Sequence, residues 1–278
     1  MSATTVTRRR PGTTVRARYA IADGLVVTKR NLLQYRRVPT LLVFSTVQPV
    51  IFVLLFRYVF GGAIGAALPG IDYVLFLMPG IFVQTAIFGS TQTGVGLAQD
   101  LKSGIVDRFR SLPMARSAVL AGRTTADLCR NLFVVVLMIA VGYLVGFRFE
   151  AGPLLAIAGV LLAITVGFTF SWISATLGLL IRDVESVQAA SFVWIFPLVF
   201  ASSAFVPIAT MPDWLQVWAR NNPVTIWVNA LRGCTLSGDV TALLGGTRPE
   251  LIAKALAWIV GLLAIFVPLA IRTYRKNA

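Results

Sequence analysis

Long apolar runs alternate with short charged ones along this chain. Six runs reach the length of about 20 residues that a helix needs to cross the hydrocarbon layer of a bilayer. They are Leu41–Phe60, Tyr73–Thr93, Ala126–Val145, Leu154–Ile181, Gln188–Pro207 and Leu251–Ile271. Hydrocarbon offers no partner to a bare N–H or C=O, so each run is predicted to be a helix. The expected fold class is an all-α membrane protein with six transmembrane helices. The fourth run is long enough to tilt or to extend past the lipid. The fifth holds Pro197 and ends at Pro207, so a kink or break is expected there.

The polar positions set the orientation. Lys and Arg collect in alternate connections, as the cytoplasmic side requires. Nine fall in the first forty residues, and Lys102, Arg108, Arg110, Arg116 and Arg123 follow the second run. Arg272, Arg275 and Lys276 close the chain, whereas the connection after the first run has no cation and the third has Arg148 alone. Both termini are therefore predicted to be cytoplasmic, in a multi-pass protein of the cell membrane. Two regions result: a cytoplasmic arm over 1–40 and a six-helix membrane unit over 41–278. The arginines at 8–10 stand too far from the first apolar run to form a cleaved signal. Within residues 19–37, Ile21, Leu25, Leu32 and Tyr35 share a helical face, and Lys29, Arg30, Arg36 and Arg37 can reach lipid phosphates. That pattern predicts an interfacial amphipathic helix, the alternative being a plain charged tail.

Composition narrows the classes. Of 278 residues, 57% are hydrophobic and 13% charged, against about 25% charged in soluble domains. The net charge of +14 does not point to nucleic acid, because the cations sit at the ends of apolar runs rather than among aromatic residues. There is no histidine, and the two cysteines, Cys129 and Cys234, fall on opposite predicted faces. Metal ligation and triad chemistry are therefore not expected, nor is any catalytic or cofactor-binding group on this chain.

One connection departs from the pattern. GIVDRFRSLPMAR, Gly104 to Arg116, gathers charge between two apolar runs. Gly104 can end the preceding helix and Pro113 closes the segment. Between them Ile105, Phe109 and Leu112 form an apolar stripe, with Asp107, Arg108 and Arg110 on the other faces. A short helix of this kind either plugs a groove in another protein or lies on lipid. The longer stretch DLKSGIVDRFRSLPMAR, from Asp100, closely resembles the cytoplasmic loop of ABC-2 type transporter permeases, in particular the daunorubicin/doxorubicin resistance subfamily. KRNLLQYRRVPT (Lys29–Thr40) is similar to that family's stretch before the first span. FASSAFVPIATMPDWLQVWARNNPVTIWVNALR (Phe200–Arg232) is similar to its outer loop.

The resemblance implies a permease that forms a homodimer and binds two copies of a separate ABC ATPase, with ATP and Mg on that partner. It makes Asp100, Gly104, Ile105, Asp107, Arg108, Phe109, Arg110, Leu112 and Pro113 an ATPase-coupling element. No phosphate-binding G-x-x-x-x-G-K-[ST] loop occurs in the chain, in keeping with that division. The function implied is ATP-driven export of hydrophobic or amphipathic small molecules, drug or lipid. A glycan or glycolipid exporter and a secondary carrier are the alternatives. Against a carrier, no carboxylate is predicted mid-span, since Asp127 falls near an inner end.

The external segment over 206–250 carries Pro207, Pro212 and Pro223 with Trp214, Trp218 and Trp227. Re-entrant half-helices forming an exit gate are expected there, or else an aromatic belt at the headgroups. Gln84, Phe88, Ser90, Gln92, Trp194 and Ser202 are the candidates for a substrate path; hydrogen bonding between helices is the competing role for the polar ones. Gly61/Gly65 and Gly142/Gly146 have the spacing of close helix contacts.

Overall fold

Helix caps decide where the apolar runs begin and end. The computed structural model describes residues 23–33, 37, 39–68, 70–105 and 116–277. These form helices joined by turns, with no strand among the described residues. In chain order they are α1 (23–33), α2 (Pro39–Leu54) with a π-helical turn (Leu55–Phe60) and α3 (Gly61–Gly65), α4 (Tyr73–Lys102), α5 (Arg116–Leu144) and α6 (Pro153–Ile181). There follow α7 (Val184–Phe200), α8 (Asp213–Asn221), α9 (Pro223–Thr235), α10 (Thr241–Leu244) and α11 (Arg248–Asn277).

Among the described residues, five stretches are long and apolar enough to cross a membrane: Ser45–Gly65, Tyr73–Lys102, Leu120–Leu144, Pro153–Ile181 and Arg248–Lys276. The run expected over Gln188–Pro207 is instead the 17-residue α7. Asp183 starts it by accepting the Ser186 N–H at 2.9 Å, a bond that also holds the Asp183 carboxyl below its usual range. Pro197 sits inside the helix without ending it. The end comes from side chains that take over its last carbonyls. Asn222 Nδ2 donates to the Leu198 and Ala201 oxygens at 2.7 and 3.2 Å, and the Ser202 hydroxyl donates to the Val199 oxygen.

Two helices outrun their predicted spans. α4 continues nine residues past Thr93, and α5 begins ten before Ala126. At about 1.5 Å per residue each extension adds roughly 15 Å. These turns carry polar residues, so hydropathy stops where lipid stops. They stay helical because Leu97, Ala98, Leu120 and Thr124 bury one face against neighbouring helices.

α4 lies at the centre, packed by α5, α6, α7 and α9. α4 and α6 touch backbone to backbone. A Cβ on Gly94 would overlap the Ser174 carbonyl, and one on Gly178 would overlap the Gly94 carbonyl. The predicted pairs play a lesser part: Gly142 meets the tip of the Met78 side chain, and Gly61 and Gly65 meet Tyr73 at ordinary distances. At the other end of α4, Gly104 adopts φ +68°, and its N–H reaches the Leu101 oxygen at 3.2 Å. This is the helix stop expected from sequence.

Candidate functional site

Two polar clusters stand along α4. The first is at the end that carries the charged connection. Asp100 accepts from Arg30 of α1 at 2.8 Å and from Arg123 of α5 at 3.1 Å. Arg123 reaches it across Gly96, where a side chain would collide with the guanidinium. Thr28 donates to the Gly122 oxygen at 3.0 Å, seating α1 on α5. The side of α1 that packs is Val27, Thr28 and Asn31, all buried, while Leu25 and Leu32 of the predicted apolar face stay exposed. One carboxylate thus joins three helices at the root of the connection. Gly104 and Ile105 follow directly. Asp107, Arg108, Phe109, Arg110, Leu112 and Pro113 lie outside the described residues, as do Ile21 and Tyr35.

The second cluster surrounds a cavity of about 370 Å³ between α2, α4, α5 and α7. Gln84, Phe88 and Gln92 face it because positions four apart fall on one side of a helix. Gln48 of α2, Arg130 of α5, and Gln188 and Phe192 of α7 complete the wall. Gly89 lies near the midpoint of α4, so the cavity is far from either helix end. Arg130 donates to the Gly89 oxygen and, at 3.1 Å, to Asn131 Oδ1. Its Nε stands 3.8 Å from Asp127 Oδ1, and Thr93 donates to the other Asp127 oxygen. Gln84 Oε1, Thr85 Oγ1, Arg130 Nε and Asn131 Nδ2 are buried without a hydrogen-bond partner.

Four helices therefore present amides, a guanidinium and two phenyl rings to one space. A carboxylate was not expected inside the helix bundle, yet Asp127 is buried against α4. α5 begins ten residues, nearly three turns, before the predicted run, so Asp127 stands well inside the helix. Arg130 and Asn131 were missed altogether; a cation inside an apolar run was the available signal.

The other path candidates fall elsewhere. Ser90 donates to the Ile87 oxygen at 2.6 Å and faces Ser174 of α6 at 3.5 Å, a contact between helices. Ser202 accepts the Ala204 N–H at 3.2 Å and caps the turn after α7. Trp194 stacks on Phe170, ring centres 5.8 Å apart, in a separate apolar groove. Trp227 is no headgroup anchor: it is buried and donates to the Ala255 oxygen at 3.2 Å. Trp214 and Trp218 of α8 are exposed.

Membrane-length helices around a polar cavity define a multi-pass membrane protein of the permease class. The ABC-2 type transporter family matches residues 24–236, from α1 through α9, and the chain belongs to that family. It is 34% identical over 261 residues to the daunorubicin resistance ABC transporter permease protein DrrB1 of Streptomyces coeruleorubidus, covering 93% of this chain and 88% of the relative. It is 28% identical over 276 residues to the probable doxorubicin resistance ABC transporter permease protein DrrC of Mycobacterium tuberculosis, covering 96% and 94%. A putative transport permease, ycf38 of Porphyra purpurea, is 27% identical over 209 residues, covering 74% and 71%.

Proposed function

We propose that this chain is the membrane subunit of an ATP-driven exporter of hydrophobic or amphipathic small molecules, a drug or a lipid. Two copies pair with two copies of a separate ABC ATPase, and six helices cross the cell membrane with both termini in the cytoplasm. The observation that carries this reading is membership of the ABC-2 family, with relatives named as drug-resistance permeases.

ATP and Mg²⁺, bound on the partner, supply the energy. The residues of this chain receive and pass on the movement. Phe109 and Leu112 seat in a groove of the ATPase, and Asp107, Arg108 and Arg110 fix the register. A push on that segment enters α4 and α5 at their joined ends, because Asp100 holds Arg123, and reaches α1 through Arg30. A change in tilt between α4 and α5 widens or narrows the cavity that Gln84, Phe88, Gln92 and Arg130 line. Cargo with a ring system and a hydrogen-bonding head suits the mixture of phenyl rings and amides there. A glycolipid is the nearest alternative cargo, supported by the same glutamine amides. The helices α8 and α9 form the exit gate.

Phe109→Ala and Asp107→Arg are expected to abolish efflux and loosen co-purification of the ATPase at normal membrane abundance. Full efflux by either variant would remove the segment from the mechanism. A carrier driven by an ion gradient has one observation in its favour, the buried Asp127 beside Thr93 and Arg130. Cargo movement by the purified permease in vesicles without an ATPase would favour it.

A further inference from the structure

The groove that holds Trp194 lies apart from the polar cavity, between α6, α7, α9 and α11. Its volume is about 390 Å³. Phe170, Ile173, Leu177 and Leu180 line it along α6, and Leu262, Phe266 and Leu269 along α11. The Thr176 hydroxyl and the Trp227 indole that border it are already committed. Thr176 donates to the Trp172 oxygen at 2.9 Å and Trp227 to the Ala255 oxygen. Only hydrocarbon is welcome in such a space.

Its length and its charged end indicate which hydrocarbon. From Phe170 to Leu180 the groove follows α6 for about 15 Å, the depth of one leaflet in a hydrocarbon layer about 30 Å thick. Leu262, Phe266 and Leu269 repeat at four and three residues, one face of α11, and Arg272 continues that face one turn on. Leu179, Ala270 and Tyr274 pack in one cluster, so the basic end of α11 stands level with the Leu180 end of the groove. Arg182 caps α6 two residues past Leu180. Arg272, Arg275 and Lys276 are exposed, and no acid lies between Leu269 and Asn277.

We propose that this groove is a binding site for one anionic phospholipid, with an acyl chain along Phe170–Leu180 and the phosphate against Arg272. Apolar lining selects the chain, and the cations at one end select the headgroup. The proposal does not depend on the ATPase or on the cargo.

The test uses the full chain in nanodiscs holding equal phosphatidylglycerol and phosphatidylethanolamine, with lipids retained on the released protein counted by native mass spectrometry. The expected result is one retained lipid per chain, mostly phosphatidylglycerol. Leu177→Trp, which fills the groove, should abolish retention. Leu269→Trp, at the exposed rim, should do the same and decides the matter if Leu177→Trp fails to fold. Arg272→Gln should keep the lipid but lower the phosphatidylglycerol preference about fivefold. No retained lipid on the wild type, undiminished retention in the filled variants, or an unchanged preference in Arg272→Gln would each overturn the proposal. So would a dimer that becomes monomeric on filling the groove with lipid retention unchanged, since the groove would then be a contact between copies.

Discussion

Arg232 is wholly buried in α9 and, among the described residues, touches no carboxylate. Its Nε donates to the Phe76 oxygen at 3.0 Å. Nη1 donates to Ser203 Oγ at 3.2 Å and Asn229 Oδ1 at 3.0 Å, and Nη2 to the Ser203 and Ala204 oxygens at 2.7 and 3.3 Å. The guanidinium carbon sits 3.4 Å from the Phe76 ring centre. A buried cation is tolerated when its donors are met by well-placed acceptors, and the planar fork of arginine meets several at once. Arg232 thereby fastens α9 and the turn after α7 to the first turn of α4. Arg232→Met strands those carbonyls, at about 1–3 kcal/mol for each buried acceptor left alone. The apparent Tm of the purified chain should fall clearly, and Arg232→Lys should fall less. An unchanged Tm in Arg232→Met would refute the role. The position was legible in sequence only as the last residue of an outer-loop motif. Nothing local announces that two distant backbone segments turn three oxygens toward it. The Gln84–Phe88–Gln92 face of α4 was legible, because one helix supplies its periodicity; Arg130 opposite it depends on another helix.

At the scale of elements, α4 and α6 make a tight helix-to-helix joint at Gly94 and Gly178. Either Cβ would meet backbone, which cannot swing aside as a side chain can. Gly178→Ala should therefore destabilise by about 1–3 kcal/mol, the usual penalty of overpacking. Gly142→Ala should cost less, since it presses only on the Met78 methyl, and Gly62→Ala, with nothing within 4 Å, serves as the neutral control. Thermal unfolding of the three variants gives the ranking, and equal melting of Gly178→Ala and Gly62→Ala would contradict it. Small-residue spacing within one helix pointed to Gly142/Gly146 instead, because spacing does not reveal which surface lies opposite. The long helices themselves were readable, since length and apolarity are properties of the run. Their polar extensions were not, because hydropathy reports contact with lipid rather than helicity. The C-terminal end of α7 depends on Asn222, twenty-two residues beyond the last helical residue, Phe200.

For the whole molecule, the decisive question is whether the 17-residue α7 crosses the membrane. At about 1.5 Å per residue it spans roughly 25 Å, short of a hydrocarbon layer near 30 Å. Contacts at its two ends bear on the answer. Asp183, at its start, stands 3.9 Å from Lys102, at the end of α4. Phe205, just past its end, accepts from the Tyr73 hydroxyl at 2.9 Å, at the beginning of α4. α7 and the turn at 201–206 together therefore run antiparallel to α4, from its end to its beginning. The end of α9 joins the same side: Glu150, before α6, donates its N–H to the Thr235 oxygen at 2.8 Å. The proposed six-helix arrangement puts Ala66 and Thr247 on one side of the membrane, and Ser103 and Lys276 on the other. Single cysteines at these four positions, in a background with Cys129 and Cys234 replaced by alanine, make the arrangement measurable. A membrane-impermeant maleimide added to whole cells should label Ala66→Cys and Thr247→Cys, and should reach Ser103→Cys and Lys276→Cys only after permeabilisation. If α7 fails to cross, the pattern inverts after Ile181: Lys276→Cys labels from outside and Thr247→Cys does not. That outcome would put the charged connection and the C-terminus on opposite faces. It would also remove the proposed six-helix arrangement.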